Sequence, residues 1–200
     1  MGTSGDVQRA TRSSAVSLRG WNFPHINERD SSNFNEGFQS TTDWKNSSFG
    51  RHVEVVRGYR SGLFVWRSTL WEEQASEFSG AKVLCFLAAI FSVTEWMIFT
   101  QRYYEPVLRI DESIELDLTL HGSMNRALVS RPPASPLFSE YVSKAEPVRV
   151  KKVVELTDLR TDPLAVARRL IVEIFELFNW NNSVESVIEG WQRSLIEKRI

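Results

Sequence analysis

The sequence is poor in the features that most often announce a function. It holds one cysteine, Cys85, so no disulfide can close within the chain. Lysine and arginine (24) nearly balance aspartate and glutamate (25), leaving a net charge of -1. A whole-molecule electrostatic grip on nucleic acid needs a basic surface, and that balance does not supply one, although a local patch stays open. Met1 to Ser17 is small and polar with no apolar core of a signal peptide. Together with the lone thiol, this makes an intracellular, cytoplasmic protein the expectation. There is no glycine-rich phosphate loop, no Gly-x-Ser-x-Gly elbow, no internal repeat, and no ligand spacing among His25, His52 and His121. No cofactor is expected.

Long apolar runs are also scarce, with one exception. Residues 81–105 are apolar on nearly every face, from Val83 through Phe91, Trp96 and Phe99. The run has about the length of a bilayer span, roughly 17–25 residues. Glu95 sits well inside it, however, and an ionisable group at membrane depth is costly. A helix buried in a protein core is the better reading, with no membrane as partner. Pro106 ends it.

Around this helix the pattern changes by segment. Met1 to about Ala15 is unpatterned and reads as a mobile arm, leaving 16–200 as a single domain. Val16 to Ile26 reads as a short strand that Pro24 ends or confines to an edge. Asn27 to Gly50 is rich in turn residues and reads as a long surface loop pinned by Phe34, Phe38, Trp44 and Phe49, a candidate binding lip. Arg51 to Leu70 is strand-like, with Ser61-Gly62 marking either a hairpin turn or a bend. In 107–121, Ile114, Leu116, Leu118 and Leu120 alternate with Ser113, Glu115, Asp117 and Thr119, the signature of a half-buried strand. The Pro-rich run at 131–136 is a loop, 137–144 reads as one or two helical turns, and 148–156 as another strand. Asp162-Pro163 has helix-start chemistry, followed by a stripe through Ala167, Leu170, Ile171 and Phe175. Asn179 to Asn182 breaks it, and Asn182 to Glu185 resembles a capping box before a final amphipathic helix. Strands grouped apart from helices predict class α+β: an antiparallel or mixed sheet packed on the buried central helix and a C-terminal helix pair.

Three residue groups carry candidate chemistry. Arg51, Arg57, Arg60 and Arg67 interleave with Tyr59, Phe64 and Trp66, and arginines for phosphates beside aromatics for bases is the pattern of a single-strand binder. Trp44, in the candidate lip, joins this set. On the best strand, Glu115 and Asp117 point the same way, with His121 on the same parity and Asp111 upstream. They suit a divalent metal or an acid–base pair of a hydrolase, or else a solvated face meeting Arg57, Arg60 or Arg67 across strands. Glu95 among Phe91, Trp96 and Phe99 needs a partner or a proton. Arg57, Arg60 and Arg102 are the expected partners, with a general acid as the other reading.

Two segments, Ser17-Leu-Arg-Gly-Trp-Asn-Phe-Pro-His25 and Tyr59-Arg-Ser-Gly-Leu-Phe-Val-Trp66, resemble stretches of the C-terminal part of bacterial ATP-binding or transcription-regulator-like proteins that begin with a Schlafen-type AlbA_2 domain. No AlbA_2-like segment occurs here, so neither nucleotide binding nor nuclease activity carries over. The resemblance implies an accessory or sensing module of a nucleic-acid-linked or defence system. The function expected is therefore a non-catalytic binding or regulatory domain recognising a protein or nucleic-acid partner, with a metal-dependent hydrolase as the alternative.

Overall fold

The computed structural model describes residues 2–198 apart from 48, 49, 79, 132, 133, 135, 136, 138 and 182–184. Helices and strands are mixed and the class is α+β, as expected. The backbone divides into two compact units, Met1–Gly80 and Ala81–Ile200, where a single domain over 16–200 was expected.

The first unit opens on a helix, α1 (Ser4–Ser13), in place of the anticipated mobile arm. The reason is local. Thr3 Oγ1 accepts from the Asp6 amide (3.2 Å) and the Asp6 carboxylate accepts from the Thr3 amide (2.8 Å), a reciprocal cap that satisfies otherwise orphaned donors. Val7 and Thr11, one turn apart, are then buried. Val16 and Phe23 form a single antiparallel bridge rather than a strand.

The segment read as a loop is mostly strand. It forms β1 (Ser31–Phe34) and β2 (Gly37–Ser47), followed by β3 (Gly50–Tyr59) and β4 (Phe64–Ser68). The four make an antiparallel meander in the order β1-β2-β3-β4. Phe38, Ser40 and Thr42 alternate inward along β2. Two of these three are hydroxyl residues, which hides the alternation from any count of apolar residues. Ser40 is satisfied there because its Oγ accepts from the Asn27 amide at 2.9 Å. Of the anticipated pinning aromatics, Phe49 lies outside the described residues. The 61–62 punctuation is a hairpin turn, with Gly62 at φ 94°. α1 covers one face of the sheet, where Val7, Phe38 and Val56 form a core joined by Ile26, Phe64 and Trp66.

The second unit is built on the central helix. The apolar run begins as a short strand, β5 (Val83–Cys85), and passes directly into α2 (Phe86–Tyr104), which stops before Pro106. Twelve of the nineteen α2 residues are buried, among them Phe91, Glu95, Met97 and Phe99. They lie against α3 (Leu156–Thr161), α4 (Pro163–Glu176) and α5 (Glu185–Ile196). Buried Gln192 of α5 ties three helices together, its Nε2 donating to Thr94 Oγ1 and to the Leu164 carbonyl, each at 3.1 Å. Asp162 caps α4 through the Ala165 amide at 2.9 Å. The anticipated capping box at 182–185 lies largely outside the described residues.

Here the strands form two small sheets. β5 pairs in parallel with β7 (Ala127–Val129), and β6 (Ser113–Leu120) pairs antiparallel with β8 (Val148–Glu155). Where helical turns were expected over 137–144, the described residues are not helical and Val142 bridges Ala127 instead. Among the described residues, no helix is long and apolar enough to cross a membrane.

Candidate binding face

The β3–β4 turn decides what the Arg/aromatic segment can do. Three residues, 60–62, separate Tyr59 from Leu63, and the Tyr59 amide donates to the Leu63 carbonyl at 2.9 Å. Arg57 is thereby set opposite Val65, and Val56 opposite Trp66. Side chains directly opposite one another share a face. The anticipated binding set is therefore split. Arg57 and Tyr59 point to the face away from α1. Phe64 and Trp66 point toward α1 and pack with Val7, Phe38 and Val56. Arg60 is in the turn, where its amide donates to the Glu36 carbonyl (2.7 Å) and its Nη1 to the Asn35 carbonyl (3.4 Å).

Trp66 and Trp44 instead serve a cluster organised by Glu54 on the α1 side. The nearly buried Glu54 carboxylate accepts from Trp66 Nε1 (2.7 Å) and from the His25 amide (3.0 Å), with His52 Nε2 at 3.6 Å. Trp44 lies between the His25 and His52 rings, at centroid distances of 5.1 and 5.6 Å. It holds the 23–27 segment on the sheet rather than forming a lip beside Arg57.

The outward face is a mixed apolar and cationic surface. Val53, Val55 and Val65 are half-buried along its centre, and Arg51, Arg57 and Arg67 are exposed around them. Arg57 Nε donates to Gln39 Oε1 at 2.6 Å. Arg51 holds Asp43 with two hydrogen bonds of 3.0 and 2.9 Å, which keep the Asp43 carboxyl below the ordinary aspartate value. Asp43 is the one acid on this face of β2 and β3. Beside it, Arg29, Asp30, Ser32, Thr41 and Lys45 line an open depression of about 630 Å³. Tyr59 packs edge-on against Phe34 at 5.6 Å. Lys45 and Gln39 were not among the anticipated site residues. The alternation of Gln39, Thr41, Asp43 and Lys45 with Phe38, Ser40 and Thr42 was the signal that could have found them.

The carboxylates proposed for metal or acid–base chemistry have other company. Asp117 is held by Arg149 at 2.9 and 2.5 Å, and this hydrogen bonding lowers its pKa. Glu115 pairs with Lys151 at 3.0 Å. Asp111 receives Arg109 at 3.0 and 2.6 Å, which likewise lowers its pKa. His121 stands exposed in the bend after β6. Among the described residues no group of three His, Cys, Asp or Glu side chains is placed to hold a metal. The cross-strand pairing that was the alternative is therefore present, with a correction: the partners come from β8, not from Arg57, Arg60 or Arg67. Glu95 lies fully buried in mid-α2, with Arg102 two turns further along the same helix. Cys85 is buried and takes part in no disulfide.

No family model, curated protein or solved structure matches this chain.

Proposed function

We propose that the protein is a non-catalytic binding and regulatory module that recognises a nucleic-acid backbone with the outward face of the β1–β4 sheet. One observation carries this reading. Arg51, Arg57 and Arg67 are exposed on the same sheet face, and the single acid among β2 and β3 on that side is engaged by Arg51. Clustered cations on a rigid sheet offer phosphate contacts without entropy lost to ordering a loop. With Phe64 and Trp66 committed to the opposite face, base stacking is a small part of the interaction. Binding is therefore indifferent to sequence and governed by phosphate charge. Membership of a bacterial defence or regulatory system is part of the same proposal and rests on the resemblance of residues 17–25 and 59–66 described above.

Fluorescence polarisation with labelled single-stranded and duplex DNA and RNA tests it. Binding is expected at low salt and weakened about tenfold or more in the Arg57→Ala, Arg67→Ala double variant. No binding of any of these at low salt, or a double variant that binds as well as the parent, overturns the reading.

A further inference from the structure

The β6–β8 ribbon is a two-stranded sheet whose eight residue pairs run without a bulge. The Leu156 amide donates to the Glu112 carbonyl at 3.0 Å, and this fixes the phase of the ladder. Hydrogen-bonded pairs alternate with unbonded ones in an antiparallel ladder. Ile114, Leu116, Leu118 and Leu120 thus direct their amides and carbonyls to β8. Ser113, Glu115, Asp117 and Thr119 direct theirs the other way, where no strand lies among the described residues. All four of those residues are exposed. The open edge runs for about 26 Å at roughly 3.3 Å per residue.

This edge has two further properties. Its inward side is unfinished: Leu116, Leu118 and Leu120 are only half-buried, whereas Val148, Val150 and Val154 of β8 are buried. Its outward side carries a row of acids with bases on one flank only. Lys151 and Arg149 meet Glu115 and Asp117 from the β8 side, and the acid side chains keep 59% and 39% exposure. Unpaired edges are templates for added strands, and proteins guard them with proline, bulges, short length or charge. β6 has none of the first three. Its two acids repel a second β6 edge and favour a strand that brings cations.

We infer that the open edge of β6 receives an extended segment of another protein in which apolar residues alternate with lysine or arginine. Such a segment continues the sheet beside β6. Its apolar residues cover Leu116, Leu118 and Leu120, and its cations give Glu115 and Asp117 a second basic flank. Main-chain hydrogen bonds supply affinity and the alternation supplies selectivity, as in strand addition generally. This site belongs to the second unit and does not rest on the proposed nucleic-acid face.

The test is polarisation of a labelled heptapeptide alternating valine and lysine against the full chain, with an alternating valine–glutamate peptide as control. The basic peptide is expected to bind at least tenfold more tightly than the acidic one. Thr119→Pro removes an outward amide while leaving the β6–β8 bonds in place, and is expected to weaken binding at least fivefold. Hydrogen exchange checks that the variant keeps its fold, and in the parent it should show the Asp117 and Thr119 amides protected only with the basic peptide present. Equal binding of both peptides, no binding of either, or unchanged binding by folded Thr119→Pro overturns the inference.

Discussion

Glu54 and Glu146 do comparable work in different surroundings. Glu54 is nearly buried and gathers the His25 amide and Trp66 indole beneath a sheet. Glu146 is exposed and pins the turn after β6, accepting from the Met124 and Gly122 amides at 2.8 Å each. Those backbone hydrogen bonds, Met124 first, hold the Glu146 pKa below the ordinary glutamate value. A carboxyl with a depressed folded pKa adds stability that is complete above its unfolded pKa, near 4.3. That stability is lost as pH falls through the folded value. Carbon-detected NMR titration should place the Glu146 midpoint below that of an unstructured glutamate, and Glu146→Gln should flatten part of the acid dependence of unfolding. A midpoint at or above the unstructured value would refute the pinned turn. None of this was legible in the sequence, because both acids act on backbone amides more than twenty residues away or on a segment brought in by the sheet.

At the scale of elements, legibility followed the strength of the local signal. The alternation of β6, the capped start of α4 and the apolar breadth of α2 each had a strong periodic or capping pattern, and each formed where expected. α1 and β2 did not announce themselves by apolar residues. α1 depends on Val7 and the Thr3/Asp6 cap, and β2 hides Ser40 and Thr42 on its inner face. Gly58 shows how closely these two elements approach. A Cβ there would stand 2.6 Å from the Phe38 ring and 2.8 Å from a Val7 methyl. Gly58→Ala should therefore destabilise by about 1–3 kcal/mol through overpacking. Urea denaturation measures this, and a double variant with Val7→Ala should recover part of the loss. A neutral Gly58→Ala would mean that α1 does not pack on the sheet as described.

For the molecule as a whole, composition and arrangement give opposite impressions. A net charge of -1 argues against a nucleic-acid grip, yet the cations of β3 and β4 are collected on one face while the acids of β6 are absorbed by β8. The segregation arises from strand parity, which a linear reading of Arg57 to Trp66 did not resolve. The interleaved arginines and aromatics looked like one site, and the length of the 60–62 turn divided them between two faces. The proposed function therefore calls on the arginine face, while Phe64 and Trp66 belong to the core.

The most direct measurement is a backbone NMR titration of the full chain with a short labelled-free DNA single strand at low salt. The account predicts shifts confined to Thr41, Lys45, Arg51, Val55, Arg57, Val65 and Arg67, reversed by added salt with a slope of about −2 in log affinity against log salt, as three phosphate contacts on a single strand require. Shifts centred on Phe38, Glu54, Val56 and Trp66, or no shifts at all, would contradict it.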